Sequence, residues 1–209
     1  MVSTMHVGKS AFSMIELIFA IVIIGVSVIS LPMMTQATSK GVEGNLVQEA
    51  IFAASAELNQ VLSYQWDENA VEGSNLLSKV VWTSATDCNS TTKLRAGHVN
   101  QPLHRKCIDN EILRPTIAID GTLNDIDDTI KTTPVAIFTE TAGTSSGYKK
   151  DYSSALSVEY ADFGATTAAS QNMKKVTVSI TDSDGKIITL LKTYSANIGE
   201  IDYYKRSYQ

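Results

Sequence analysis

Apolar and polar positions divide the chain sharply. From Leu17 to Met34 the sequence reads LIFAIVIIGVSVISLPMM without a single charge, close to the ~20 residues that cross a bilayer core as a helix. Farther along, Leu46, Val47, Ala50, Ile51, Ala54, Leu58, Val61 and Leu62 recur at three-to-four spacing. That spacing marks one apolar helical face, with Glu49, Glu57 and Gln60 opposite. The intervening stretch, 38–44, is weak helix. The pattern therefore predicts one long helix, with a bend available at 38–44, ending near Tyr64 to Trp66. Gly25 is a soft point within it. Pro32 lacks an N–H and crowds the preceding turn, so a kink or a locally melted turn is expected there.

Beyond the helix the period shortens. Asp67-Glu68-Asn69 and Gly73-Ser74-Asn75 read as loop. Lys79 to Thr83 and Thr116 to Ile119 are short strand candidates; Pro134 to Thr139 and Ala155 to Tyr160 are better ones. Alternation in Val176, Val178 and Ile180, followed by Asp182-Ser183-Asp184-Gly185, predicts a hairpin of Lys175 to Thr181 with Lys186 to Tyr194. Residues 142–150 and 164–172 are small and polar and read as loops. No tandem repeat is present. The simplest layered solution is an α+β fold, a long N-terminal helix whose membrane-spanning first half precedes a distal half packed on a small antiparallel sheet.

Composition fits a folded chain of 209 residues, 44% hydrophobic and 19% charged, with room for about one soluble domain beyond the apolar segment. The net charge of −5 argues against non-specific nucleic-acid binding, which needs concentrated positive charge. Lys9 is the only Lys, Arg, Asp or Glu before Phe12. Placed on the short side of the span, it predicts a cytoplasmic N-terminus and an external bulk. A secretory signal peptide is one rival, with a cleavage site at Ala37; a simple single-span anchor is another.

Within the run Lys9-Ser10-Ala11-Phe12-Ser13-Met14-Ile15-Glu16-Leu17, one acid stands at the threshold of the apolar helix. An ionised group in hydrocarbon costs several kcal/mol unless it is paired. A small residue, an aromatic, an acid four positions later and an apolar span together resemble the N-terminal motif of type IV pilins and type II secretion pseudopilins. The resemblance covers roughly residues 10–32. It implies a leader of 1–11, an assembly helix of 12–36 and an external pilin-like domain of 37–209 that includes the distal helix. It further implies cleavage by a prepilin peptidase between Ala11 and Phe12, methylation of the new Phe12 amine, and an assembly role for Glu16, which would neutralise the amine of a neighbouring subunit. Gly is usual before the cut, where this chain has Ala11, and the family proline lies one position after Pro32. The partners implied are other pilin-like subunits through the N-terminal helix, the peptidase, the inner-membrane assembly machinery and membrane lipid. The chain would sit in the bacterial inner membrane as a single-pass protein before joining a filament. Ser27 and Ser30 are small enough for close helix approach in the membrane.

Candidate chemistry elsewhere changes this picture little. Cys88 and Cys107 flank a polar loop on the expected outside, and an even count suggests a disulfide. Zinc held by Cys88, His98, His104 and Cys107 is the alternative, although those spacings match no common zinc pattern. The same loop gathers Lys93, Arg95, His98, His104, Arg105 and Lys106, and Tyr203, Tyr204, Lys205, Arg206 and Tyr208 form a basic aromatic tail. Either would serve a minor pilin that captures DNA or a surface; a solvated loop and a frayed end are the plainer readings. Asp120, Asn124, Asp125, Asp127 and Asp128 suit calcium, which some pseudopilins bind, but do not follow an EF-hand spacing; a solvated acidic turn is the alternative. Asp182 and Asp184 belong to the hairpin turn. No phosphate loop, metalloprotease motif or Gly-x-Ser-x-Gly elbow is present, so the sequence offers no reason to propose an enzyme and implies no cofactor.

Overall fold

The structure, a computed structural model, describes residues 13–73, 77–96, 105–137, 151–161 and 170–200. Two compact units divide between Leu46 and Val47. Helix α1 (Met14–Leu62) is 49 residues long. It opens on the Ser13 carbonyl, which accepts from the N–H groups of Glu16 and Leu17. In the first unit no residue of α1 is buried. Its small polar side chains return their hydroxyl protons to the helix itself. Ser27 Oγ donates to the Ile23 carbonyl at 2.8 Å, Ser30 to Ser27, Thr35 to Pro32 and Thr38 to Met34. Such back-bonding leaves the segment with few polar groups to satisfy from outside. The expected melting at Pro32 does not occur, and helix also continues through 38–44. Proline forgoes one ladder hydrogen bond, which a helix of this length tolerates.

In the second unit α1 turns a narrow stripe, Ala50, Ala53, Ala54, Leu58 and Val61, toward the sheet. The predicted face was wider: Val47, Ile51 and Leu62 are exposed. The helix ends at Leu62 in a turn, Tyr64 N–H to the Val61 carbonyl.

The sheet is antiparallel in the order β1 (Lys131–Ala136), β2 (Ser153–Ala161), β3 (Ser170–Thr181), β4 (Ile187–Ala196). Leu156 pairs with Val178 and Val158 with Val176, so the two central strands present one apolar face to α1. The β3–β4 hairpin forms as its alternation predicts. Its turn is held by Asp182, whose Oδ1 accepts from the N–H groups of Asp184 and Lys186, and Gly185 supplies φ of 77°. Residues 170–172, read as loop, open β3. Lys79–Thr83 and Thr116–Ile119 are not strands; Val80 makes a single bridge to Cys107. Among the described residues between α1 and β1, the backbone is irregular apart from two short 3-10 turns, Glu68–Ala70 and Asp127–Thr129. Trp82 anchors this segment in the core, its Nε1 donating to the Ile108 carbonyl at 2.9 Å.

Candidate functional site

Glu16 occupies the first turn of α1, where a carboxylate is favoured by the unpaired N–H groups of the helix start. Behind it, fifteen large apolar side chains between Met14 and Met34 are 52–83% exposed. A helix apolar on every side has no solvent-facing surface of its own. At about 1.5–3 kcal/mol per buried side chain, covering it with lipid or other helices is worth tens of kcal/mol. The segment is long and apolar enough to cross a membrane once. Gly25 has open space around its Cα, so close approach of another helix is sterically unopposed there. Ala11 and Phe12 lie outside the described residues.

Cys88 and Cys107 form the expected disulfide. Their thiols are thereby unavailable to zinc, which corrects the alternative metal reading; His98 and His104 lie outside the described residues. Two cations of the basic loop serve the domain's own structure. Arg95 donates to the Asn197 carbonyl at 2.9 Å and to Asn172 Oδ1 at 2.7 Å. Lys93 pairs with Glu111 at 3.0 Å and sits 5.7 Å from the Trp82 ring centroid. The basic tail, from Tyr203 to Tyr208, is outside the described residues.

The acidic run is a capping network rather than the solvated turn expected of it, because Asp125 and Asp127 are buried. Asp128 accepts from the backbone of Asp120, Asn124 and Asp125. Burial opposes its charge, but those N–H groups hold its carboxyl below the usual range. Asp125 Oδ1 accepts from Asp127 and Asp128, and its Oδ2 from Glu68 N–H at 2.8 Å. Burial raises Asp125 despite these bonds. Among the described residues no group of three His, Cys, Asp or Glu side chains is suited to a metal ion.

One charged cluster escaped sequence reasoning. Lys174, at the start of β3, is fully buried. Its Nζ donates to Asp127 Oδ2 at 2.5 Å, Asp67 Oδ2 at 3.1 Å and the Trp66 carbonyl at 2.9 Å. Trp66 also covers it, with the ring centroid 4.7 Å away. Burial drives the Asp127 carboxyl up to about 7, opposed by Lys174 and helped by the charges of Asp125 and Asp67. The signal was the alternation itself. Lys174 stands on the same period-two face as Val176, Val178 and Ile180, which places it inward.

A long apolar N-terminal helix whose distal turns pack on a small antiparallel sheet defines a pilin-like architecture in general. Comparison with known proteins found no family model, no curated protein and no solved structure that matches the chain.

Proposed function

We propose that the chain is a structural subunit, a pseudopilin or pilin, of a type II secretion or type IV pilus filament. A prepilin peptidase removes 1–11, Phe12 is methylated, and the subunit waits in the bacterial inner membrane with 12–36 in lipid and 37–209 outside. Assembly transfers the apolar helix from lipid into a bundle of like helices, which keeps its apolar surface covered throughout. Glu16 is then the one group that must be neutralised, and the Phe12 amine of a neighbour does so. Pairing between subunits fixes axial register as buried polar groups can do. The observation that carries this reading is the single carboxylate in the first turn of a helix whose next eighteen residues, 17–34, carry no charge and expose apolar side chains all round.

The test is the mature N-terminus. Expressed with a prepilin peptidase, the protein is expected to begin at methylated Phe12 by mass spectrometry. Glu16→Ala should leave insertion and cleavage intact and reduce filament incorporation at least tenfold. A native chain beginning at Met1 or beyond Pro32, or normal incorporation of Glu16→Ala, overturns the reading.

A further inference from the structure

Lys174, Asp67 and Asp127 are each 0% exposed, and they bring one amine against two carboxyl groups inside the domain. The two acids are held differently. Asp67 is anchored as an acceptor: Oδ1 takes Asn69 N–H at 3.0 Å and Oδ2 takes Thr116 N–H at 2.9 Å, in addition to Lys174. On the Asp127 side chain, Oδ2 meets Lys174 at 2.5 Å, and Oδ1 is buried with no hydrogen-bond partner among the described residues. Asp125, also buried, adds further negative charge beside them. More buried negative than positive charge is costly, and a buried ion pair repays its desolvation poorly. Condensing Lys174 with the acid form of Asp127, with the proton passed to Asp67, would replace one buried ammonium and one buried carboxylate by neutral groups and release one water.

We propose that Lys174 and Asp127 condense within the folded domain into an isopeptide bond, with Asp67 as the proton acceptor. In the first step Asp67 takes a proton from the Lys174 ammonium. The neutral amine then attacks Cγ of Asp127 in its protonated form. A C–N bond forms and the C–O bond to the hydroxyl breaks; that hydroxyl leaves as water, carrying a proton from the amine nitrogen. The ammonium, the carboxylic acid and the carboxylate become an amide, a water and protonated Asp67. Charge and atoms balance, and nothing is oxidised or reduced. Three features favour the step. The amine is already hydrogen-bonded to the carboxyl it would attack, Nζ lying 2.5 Å from Oδ2, so the two groups need not be brought together from a distance. The buried Asp127 carboxyl, raised to about 7, is substantially in the acid form that has a leaving hydroxyl. The Trp66 ring covers the amine and limits the water that would reverse the reaction.

Reduction and trypsin digestion of the full-length protein test this directly. Cleavage leaves Asp127 in peptide 107–131 and Lys174 in peptide 151–175, because the cut after a linked Lys174 is blocked. The expected product is one branched peptide joining the two, lighter than their sum by one water, from protein that runs as a monomer in denaturing gels. Fragmentation should place the bond at Lys174 and Asp127. Lys174→Arg and Asp127→Ala should release only linear peptides. Asp67→Asn should slow linkage at least tenfold, read as unlinked chain accumulating after synthesis. Full recovery of both linear peptides from the native protein overturns the proposal, as does a bond mapped to Asp67 or between chains. Undiminished linkage in Asp67→Asn removes the role given to Asp67.

Discussion

Asn197 substitutes for a missing strand, and removing it should be costly. The side chain is buried and reads both backbone groups of Val81, a residue with no exposure. Its Oδ1 accepts from Val81 N–H at 2.9 Å, and its Nδ2 donates to the Val81 carbonyl at 2.6 Å and to Asn172 Oδ1 at 3.1 Å. Asn197→Ala strips both partners from Val81 at once. Each orphaned buried group costs about 1–3 kcal/mol, so the loss of both should be about 2–6 kcal/mol. For a domain of this size 1 kcal/mol moves Tm by roughly 2–4 °C, which predicts a fall on the order of 10 °C in thermal unfolding followed by circular dichroism. Asn197→Asp sharpens the test. One carboxylate oxygen can still accept from Val81 N–H, but the other then faces two acceptors, the Val81 carbonyl and Asn172 Oδ1. The introduced carboxyl should therefore hold its proton in the folded state, with its pKa raised above the unfolded value. The folded form then binds more protons than the unfolded one, so stability should fall as pH rises above about 4. The Ala variant should lack this dependence relative to wild type. An Asn197→Ala protein melting within 2 °C of wild type, or an Asp variant as stable as wild type at neutral pH, refutes the strand-substitute role.

Reducing the Cys88–Cys107 bond, which closes a separation of 19 residues, should cost about 3 kcal/mol on the chain-entropy model; equal urea midpoints with and without reductant would refute this. Gly199 has φ of 62°, and an added Cβ would lie 3.0 Å from Lys79 C and from the Ser78 carbonyl oxygen. Gly199→Ala should therefore destabilise by more than the about 1–2 kcal/mol expected for Gly185→Ala, which has φ of 77° but open space; thermal melts that rank the pair the other way would contradict it. Tyr160 presents a buried hydroxyl with no partner among the described residues, so Tyr160→Phe should gain about 1 kcal/mol by chemical denaturation. Burial first, then the charges of Asp67 and Asp127, raises its phenol, so stability present below about pH 10 is lost as pH climbs beyond it. Phe at this position should flatten that alkaline limb, and an unchanged limb would exclude Tyr160 as its source.

What was legible in the sequence follows from how local each signal was. The apolar span and the helix spacing announced α1 because periodicity acts within a single element. Alternation in Val176, Val178 and Ile180 announced β3 for the same reason, and Asp182 and Gly185 supplied the turn chemistry directly. Val80 and Val81 misled because their β-propensity is satisfied without a ladder, by one bridge to Cys107 and by the Asn197 amide, which lies 116 residues from Val81. Thr116–Ile119 has strand-forming residues but no strand to pair with, and strand preference expresses packing against neighbours more than the backbone alone. Asp67 looked like loop polarity. Its real partners, Thr116 N–H and Lys174 Nζ, come from segments 49 and 107 residues away, which no local window contains.

The long-range anchors of the irregular segment converge on one end of the β3–β4 hairpin. Lys174 pairs in register with Ser195, and Met173 with Ala196. At that end Trp66 donates to the Ser195 carbonyl at 3.1 Å, Lys174 holds Asp67 and Asp127, and Asn172 and Asn197 receive Arg95 and clamp Val81. The other end of the hairpin carries its Asp182–Gly185 turn. A segment with few ladder hydrogen bonds must find polar satisfaction somewhere. Here it does so by using the last residues of two strands as a fixed frame, with the Cys88–Cys107 disulfide closing the segment on itself. The arrangement makes the anchors interdependent. Asn197 meets Val81 through its side chain and Arg95 through its carbonyl, while Asn172 touches both Arg95 and Asn197. Loss of one therefore loosens the residues that position the next, and such shared partners are the condition under which mutational effects stop adding.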